Sequence, residues 1–306
     1  MPAAVFLGFQ PLQLAGSITA LVTPFRADGS VDADAWCRLL ESQVTAGSQA
    51  LVVAGSTGEA AALEPDEFQA LIRRAVDTVA GRVPVLAGTG MPATAKTVRQ
   101  TRLAAEAGAD AALVVAPAYV RPTQDGMFRH FSEVARHGGL PVVLYNVPSR
   151  TACDLLPETV ARLREDPRVI GIKEARAEPG RMDALLALAH DGFTVLSGDD
   201  PTAARSMLAG AHGCISVASN VVPRRFRALC DAARAGQAEA AGALGRELAP
   251  VFDFLGIEPN PIPVKALLAG LGAIVDHLRL PLTPLSPAHR EQSRALCARI
   301  TELEAA

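Results

Sequence analysis

Lys173 is the residue of this sequence that is best suited to covalent chemistry. It ends the apolar run Val169–Lys173, which is typical of a buried strand. Lysine is rare in this chain, because only three of the 29 lysine and arginine residues are lysines. An arginine stays protonated, whereas a lysine that is partly withdrawn from water can lose its proton and attack a carbonyl carbon. A lysine at a strand end can also simply extend its amine into solvent, so Lys173 by itself leaves both interpretations open.

The two tyrosines of the chain, Tyr119 and Tyr145, fall at or just after the ends of predicted strands. Either ring could be buried with its hydroxyl in water, which requires no catalytic role. Because the carboxyl ends of parallel strands meet at one rim, both phenols are expected on the same rim as Lys173. The strand of Tyr145 directly precedes that of Lys173. We therefore predict that this hydroxyl reaches the atoms with which the amine reacts and moves protons there.

A glycine-rich turn, Gly55–Gly58, offers a site for a small carboxylate. It follows an apolar strand, and backbone N–H groups at such a turn bind anions. The turn lacks the lysine of a nucleotide-binding P-loop, and the pair Gly88 and Gly90 lacks the third glycine of a dinucleotide fingerprint. Together with a neutral amine and a proton donor, a carboxylate site is what imine formation with a keto acid requires.

The elements that must position these residues are alternating strands and helices. Short runs rich in β-branched residues alternate with longer segments of helical periodicity. Eight runs are predicted to be strands: Ile18–Val22, Ala50–Val53, Pro84–Ala87, Ala111–Ala116, Val142–Tyr145, Val169–Lys173, Thr194–Ser197 and Cys214–Val217. Eight apolar strands, each followed by a helix, favour an α/β fold of the (β/α)8 TIM-barrel type. A doubly wound sheet is the alternative, and the eight regular units and the missing dinucleotide fingerprint weigh against it.

The last part of the chain predicts helices without strands. Three helical segments are expected, Gly236–Leu255, Val264–Asp276 and Pro287–Glu304, and proline-rich joints separate them. We predict that residues 1–235 form the barrel with its active site and that residues 236–306 form a helical extension. This extension would pack on the barrel or on a neighbouring subunit.

Composition and charge argue against several classes of partner. A net charge of −3 and a pI near 6.1 provide no basic surface for nucleic acid or for an anionic membrane. No apolar run approaches the roughly 20 residues that span a bilayer. Met1–Ser17 contains no basic residue, so it makes a poor signal peptide and is predicted to be a short extension. The five cysteines are scattered and show no metal spacing, which favours reduced thiols in the cytoplasm and no metal cofactor.

Five motifs make the chain resemble a known family. They are Gly55–Glu59, Tyr145–Thr151, Gly171–Glu174, Ser197–Asp200 and Glu258–Lys265. Over about residues 16–306 the chain resembles the dihydrodipicolinate synthase family, within the pyruvate-dependent class I aldolase superfamily. The glycine-rich turn and the strand lysine mark the superfamily. The run that begins at Tyr145 is more specific and favours the synthases over the sugar-acid aldolases.

The resemblance implies a role for each catalytic residue. Lys173 would form a Schiff base with pyruvate, and Tyr145 would act as the general acid and base. Ser56 would link Tyr145 to Tyr119, which would reach in from a neighbouring subunit. Members of the family usually assemble as a dimer of dimers, so the resemblance implies a homotetramer. It implies no cofactor.

The resemblance also implies which residues bind the substrates. Thr57 and the adjacent backbone would bind the pyruvate carboxylate. Arg150 would hold the carboxylate of L-aspartate-4-semialdehyde, for which a bidentate guanidinium is suited. The carbonyl oxygens of Gly198 and Ile215 would line the same pocket. The product would be 4-hydroxy-tetrahydrodipicolinate, an intermediate of the diaminopimelate and lysine pathway.

Two departures from the family's pattern bear on function. Members commonly have threonine at the position of Ser56, whose hydroxyl preserves the relay although its rotamer is less restricted. Members that lysine inhibits bind it with His, Asn, Glu and Tyr side chains, and the matching positions here are Pro65, Phe68, Pro92, Lys96 and Ala118. Lys96 puts a like charge where an acid would meet the lysine ammonium. We therefore predict weak or absent inhibition by lysine.

Three functions remain open on the sequence. The first is the synthase. The second is a lyase that cleaves N-acetylneuraminate or a 2-keto-3-deoxy sugar acid, which would use Lys173 and Tyr145 but gives no reason for Arg150. The third is a non-catalytic protein that binds pyruvate in the same pocket.

Four further charged residues are predicted to be structural. Lys96 lies on a helical stretch and is expected in solvent. Lys265 follows a proline-rich joint and is expected to anchor the C-terminal helices through an ion pair. Asp199 and Asp200 precede a helix, where the helix dipole favours acids.

Overall fold

Eight parallel strands form a closed barrel in the order of the sequence, and the last strand pairs with the first. The structure, a computed structural model, describes residues 12–305. The strands are β1 (Gly16–Ala20), β2 (Ala50–Val53), β3 (Val85–Gly88), β4 (Ala111–Val115), β5 (Val142–Asn146), β6 (Val169–Glu174), β7 (Thr194–Ser197) and β8 (Gly213–Ser216). The predicted (β/α)8 fold is confirmed, and the bounds of every predicted strand differ from the observed ones by at most two residues.

The strands are buried on both faces, which explains why their sequences are almost unbroken apolar runs. One set of side chains fills the inside of the barrel, among them Ile18, Tyr145 and Ile215. The alternate side chains, such as Leu144 and Ile172, pack against the surrounding helices. Because side chains alternate along a strand, this pattern also turns the residues that follow Leu144 and Ile172 toward the barrel axis.

Nine helices surround the barrel, and their starts follow ordinary helix signals. They are α1 (Ala33–Thr45), α2 (Pro65–Val79), α3 (Thr94–Glu106), α4 (Gln124–His137), α5 (Pro148–Thr151), α6 (Pro157–Leu163), α7 (Pro179–Leu186), α8 (Ala203–Leu208) and α9 (Pro223–Arg234) within residues 12–305. Five of them begin with proline, which suits the first helical position because that N–H has no intrahelical partner. None of the helices in the described part of the chain is long and apolar enough to cross a membrane.

Three further helices follow the barrel, as predicted: α10 (Ala238–Leu255), α11 (Ile262–Gly270) and α12 (Arg290–Ala305). Both α10 and α12 pack against α9. This contact is the packing on the barrel that was expected of the C-terminal extension, whereas the domain division at residue 235 stays a prediction.

The predicted end of α11 at Asp276 was wrong, because the helix stops at Gly270. Gly270 lies so close to α12 that a Cβ atom there would be 2.6 Å from the Cys297 sulfur. Gly272 then adopts the left-handed conformation, with a φ of +73°, that commonly ends a helix. At the other end of the chain, residues 1–11 of the predicted extension lie outside the described residues, and Ser17 already belongs to β1.

Candidate active site

Lys173 and Tyr145 lie side by side at the carboxyl ends of two neighbouring strands. The two residues are paired in the register of β5 and β6. Lys173 is only 5% exposed and Tyr145 is 8% exposed. The Lys173 Nζ atom stands 4.4 Å from the centroid of the Tyr145 ring. The structure therefore brings together the amine and the phenol as the strand order predicts, in a site from which most water is excluded.

Gly198 makes room for the Lys173 side chain. It follows β7, and a Cβ atom at this position would lie 2.7 Å from the Lys173 Cε atom and 2.9 Å from its Cγ atom. The Gly198 N–H also donates a hydrogen bond to the Glu174 carbonyl oxygen, at 2.7 Å. The resemblance assigned only a carbonyl to Gly198. Its lack of a side chain is a second requirement, which no sequence signal revealed.

The glycine-rich turn is built on strained and closely packed backbone. Ala54 and Glu59 flank it, and both adopt positive φ angles, of 52° and 53°, which cost about 1 kcal/mol or more for residues other than glycine. Gly88 passes so close to the turn that a Cβ atom there would be 2.4 Å from the Ala54 carbonyl oxygen. The pair Gly88 and Gly90, which resembled a weak nucleotide motif, therefore has a packing role.

Thr57 and Arg150 are connected through a residue of the C-terminal extension. Thr57 is 4% exposed, and its hydroxyl accepts a hydrogen bond from the Asn260 Nδ2 atom at 2.9 Å. An Nη atom of Arg150, an exposed residue on α5, donates to the Asn260 carbonyl oxygen at 3.2 Å. The Asn260 Oδ1 atom is buried and has no hydrogen-bond partner among residues 12–305. The sequence showed Asn260 only as part of a proline-rich joint, and nothing local indicated this contact.

Ser56 and Tyr119 do not form the predicted relay within one chain. Ser56 is exposed, and Tyr119 is 91% exposed with a φ of +72°. No side-chain hydrogen bond joins either residue to Tyr145 in residues 12–305 of the single chain. The position of Tyr119 is fixed by its backbone, whose N–H donates to the Thr151 carbonyl oxygen at 3.3 Å. The relay stays a prediction that needs a second subunit.

Ile215 faces the inside of the barrel on β8 and is 1% exposed. The loop that carries Gly198 is joined to the end of β8 by Asp200, whose Oδ2 atom accepts the N–H groups of Val217 and Ala218 at 3.1 and 2.8 Å. Burial is the main cause that raises the pKa of Asp200. Asp199 accepts a hydrogen bond from the Thr202 hydroxyl at 2.6 Å. The structural interpretation of both acids is therefore confirmed.

A buried ion pair lies behind the glycine-rich turn. The Lys265 amine is 2.6 Å from the Glu59 carboxylate and donates to the Thr23 carbonyl oxygen at 2.9 Å. Burial, which is the largest cause, lowers the pKa of Lys265, and Glu59 opposes this effect. The predicted anchoring of the C-terminal helices by Lys265 is thus confirmed, and Lys96 is exposed as expected.

Known proteins resemble this chain along almost its whole length. Residues 13–300 match the model of the Dihydrodipicolinate synthetase family. The 4-hydroxy-tetrahydrodipicolinate synthase of Xanthomonas campestris pv. campestris is 61% identical over 296 residues, which cover 96% of this chain and 97% of the relative. The enzyme of that name from Stenotrophomonas maltophilia is 56% identical over 294 residues, covering 96% and 99% respectively.

A solved structure has the same architecture. Dihydrodipicolinate synthase from Acinetobacter baumannii, crystallised in complex with pyruvate, matches with a TM-score of 0.92 and 39% identity. The match covers 94% of this chain and 99% of that chain. The likeness therefore includes the C-terminal helices as well as the barrel.

Proposed function

The chain belongs to the dihydrodipicolinate synthetase family, and on this premise we propose that it is a 4-hydroxy-tetrahydrodipicolinate synthase that condenses pyruvate with L-aspartate-4-semialdehyde. The observation that carries the proposal is Lys173, a residue that is 5% exposed and whose amine stands over the Tyr145 ring at the rim of the barrel. A nucleophilic lysine and a phenol at this rim suit the formation of an imine with a keto acid.

The reaction proceeds through an imine and an enamine. The Lys173 amine attacks the keto carbon of pyruvate, Tyr145 supplies the proton with which the oxygen departs as water, and the imine forms. Loss of a methyl proton gives the enamine, whose carbon attacks the aldehyde carbon of the semialdehyde. The amine of the semialdehyde then adds to the imine carbon, displaces Lys173 and closes the ring.

The two substrate carboxylates are held by different residues. Thr57 and the N–H groups of its turn bind the pyruvate carboxylate, and Arg150 binds that of the semialdehyde. Thr57 and Arg150 both form a hydrogen bond with Asn260, which supports this assignment, because a shared partner fixes the distance between the two residues. The carbonyl oxygens of Gly198 and Ile215 line the same pocket, next to the Lys173 side chain.

A second subunit completes the site. Tyr119 is 91% exposed on a backbone with positive φ, which is a costly arrangement for a large apolar ring in a single chain. In a homotetramer built as a dimer of dimers, this ring enters the neighbouring site and Ser56 links it to Tyr145. The cytoplasm is the proposed location, because all five cysteines are free thiols.

Lysine is expected to inhibit this enzyme weakly or not at all. Of the five positions that correspond to the family's lysine site, Phe68 is 1% exposed and packs in the core, and Lys96 presents a positive charge. An ammonium group is repelled by such a charge. Initial rates measured with millimolar lysine should match the rates without it, and strong inhibition would contradict this expectation.

The proposed activity is tested with the chain's own lysines. Wild-type protein, Lys173→Ala and Lys96→Ala are assayed for product from pyruvate and L-aspartate-4-semialdehyde, and each is reduced with borohydride in the presence of pyruvate. Lys173→Ala should lose both turnover and the covalent mass increase, whereas Lys96→Ala should keep both, because Lys96 is an exposed residue of α3 and lies on no strand of the barrel. Equal rates for wild type and Lys173→Ala would overturn the proposal.

The same assay separates the alternatives. Cleavage of N-acetylneuraminate or of a 2-keto-3-deoxy sugar acid, without condensation, would identify a lyase. A mass increase on Lys173 without turnover of any of these compounds would identify a protein that only binds pyruvate.

A further inference from the structure

Behind Lys173 and Tyr145 lies a second pair of residues, Glu174 and Asn146. Each directly follows one of the two predicted catalytic residues, and the register pairs Asn146 with Glu174 as it pairs Tyr145 with Lys173. Because side chains alternate along a strand, Glu174 and Asn146 point away from the pocket and toward the helices. Both are fully buried, with exposed fractions of 0%.

Both ends of the Asn146 side-chain amide form hydrogen bonds. Its Nδ2 atom donates to the two Glu174 carboxylate oxygens at 3.0 and 3.2 Å, and to the Asp154 Oδ1 atom at 2.8 Å. Its Oδ1 atom accepts the Leu155 N–H at 2.9 Å. An amide that is hydrogen-bonded at both ends in this way permits only one orientation of the side chain.

Two arginines lie next to the carboxylates of the buried Glu174 and the partly exposed Asp154. Arg176 and Arg181 contact the Asp154 Oδ2 atom at 2.7 and 2.6 Å. The Arg176 backbone N–H donates to Glu174 at 2.9 Å, and an Arg181 guanidinium nitrogen lies 3.9 Å from that carboxylate. Burial, the largest cause, raises the pKa of Glu174, and the hydrogen bond from Asn146 opposes that rise. A buried carboxylate is costly unless partners of this kind surround it.

The backbone of the same residues joins three strand ends. The Gly198 N–H donates to the Glu174 carbonyl oxygen at 2.7 Å, and the Ala175 N–H donates to the Asn146 carbonyl oxygen at 3.0 Å. The ends of β5, β6 and β7, which present Tyr145, Lys173 and Gly198, therefore meet at Glu174. A shift of Glu174 would move the residue before it, and misplacement by about 1 Å can reduce a rate about a hundredfold.

We propose that Glu174 is a positioning residue that sets the placement of the Lys173 amine relative to the Tyr145 hydroxyl. Asn146 holds Glu174, and Asp154 in turn holds the Asn146 amide. Glu174 contacts no substrate in this proposal, which rests on the proposed imine chemistry of Lys173.

The other end of β6 provides a matched control, since Asp166 and Arg168 form an ion pair there at 2.6 Å, remote from the rim.

The experiment compares Glu174→Ala, Glu174→Gln, Asp154→Ala and the control Asp166→Ala with the wild type. The rate of borohydride-trapped imine formation with pyruvate, kcat, KM and the melting temperature are measured for each. Glu174→Ala and Asp154→Ala should lower kcat and the trapping rate about tenfold to a hundredfold, with little change in the KM for pyruvate. Glu174→Gln should recover most of the loss, because its amide oxygen still accepts hydrogen bonds.

Asp166→Ala should lose stability but keep the trapping rate. If Asp166→Ala slowed trapping as much as Glu174→Ala, the effect would be general loosening of β6, and the proposal would be overturned. Wild-type rates in Glu174→Ala and Asp154→Ala would also overturn it. If Glu174→Ala does not fold, Asp154→Ala tests the proposal in its place, because Asp154 is partly exposed. Failure of wild-type protein to form the imine would instead overturn the proposed function, so the two failures are distinguishable.

Discussion

At position 198, beside the predicted nucleophile Lys173, there is no room for a side chain. The Lys173 side chain occupies the space into which a Cβ atom at Gly198 would project, 2.7 Å from Cε and 2.9 Å from Cγ. Contacts shorter than 3 Å force one of the groups to move. The lysine, as a flexible side chain, is the group that yields, and its amine is the group on which the chemistry depends.

We predict that Gly198→Ala lowers kcat about tenfold to a hundredfold, because it displaces the amine from the Tyr145 ring. The cost in the free energy of unfolding should stay within about 1–3 kcal/mol, as for other overpacked sites. Steady-state kinetics and denaturant unfolding measure the two effects. Gly245→Ala is the control, since nothing lies within 4 Å of a Cβ atom there and the position is inside α10. A Gly198→Ala enzyme with wild-type kcat would contradict this account of the site.

The burial of His130 leads us to predict how the stability of the protein changes with pH. It is 4% exposed, and its Nε2 atom has no hydrogen-bond partner in residues 12–305. Burial lowers its pKa from 6.5 to about 4. As the pH falls from 6.5 toward 4, the His130 imidazole binds a proton in the unfolded chain but not in the folded chain. The folded state should therefore lose up to about 3 kcal/mol over this interval.

Urea unfolding of wild type and His130→Gln at pH 7 and at pH 4.5 measures this loss. The variant should show a smaller drop in stability between the two values, because glutamine does not titrate and can still meet the Thr94 hydroxyl that His130 contacts at 3.0 Å. His137→Gln removes an imidazole that is 53% exposed from the same helix and serves as the control. An identical drop in wild type and His130→Gln would show that another group is responsible.

At the scale of elements, the C-terminal helices support the glycine-rich turn. Lys265 on α11 reaches Glu59 at the end of that turn, and the second Glu59 oxygen accepts the Arg279 backbone N–H at 3.0 Å. Asn260, just before α11, contacts Thr57 in the middle of the turn. A barrel without these helices would therefore leave the proposed carboxylate site without its outer support.

We predict that Lys265→Met destabilises the protein by about 3–5 kcal/mol, because it leaves the Glu59 carboxylate buried without its partner. Adding Glu59→Gln to this variant should recover part of the loss, since the amide removes the charge and still accepts a hydrogen bond. Denaturant unfolding measures the double variant and each of the two single variants, Lys265→Met and Glu59→Gln. If the double variant were as unstable as the sum of the two single ones, the charge of Glu59 would not be the source of the cost.

At the scale of the whole molecule, the exposure of Tyr119 supports the predicted homotetramer. A single chain leaves this residue 91% exposed and without a hydrogen bond to Tyr145, although Tyr119 follows β4 and Tyr145 lies at the end of the neighbouring β5. Strand order alone therefore does not bring both phenols to one amine. The proposed relay through Ser56 would therefore require a neighbouring subunit.

We predict that Tyr119→Phe lowers kcat about tenfold, within the range of a lost proton-transfer group, while sedimentation still shows a tetramer. Mixing Tyr119→Phe with Lys173→Ala subunits should restore activity, because a site with an intact Lys173 then receives Tyr119 from its neighbour. Mixtures prepared under conditions that prevent subunit exchange are the control. If exchanged mixtures gain no activity, Tyr119 does not act across the interface.

The sequence by itself determined the order of strands and helices and the position of Lys173, the predicted nucleophile. These features depend on local periodicity, so all eight strands appeared within two residues of their predicted bounds. The pairing of Tyr145 with Lys173 also followed, because neighbouring βα units place their strand ends side by side. The roles predicted for the site residues came from the motifs of the family, because local sequence patterns do not indicate such roles.

Only the tertiary structure decided which distant residues support the site. Asn260 contacts Thr57 across 203 residues and Arg150 across 110, and Gly198, just after β7, leaves space for Lys173. The close approach of Gly270 to Cys297 of α12 is likewise a contact between distant segments. Such contacts depend on the closure of the barrel and the packing of its extension. They bring together residues that no local periodicity connects, so they cannot be read from any one segment of the sequence.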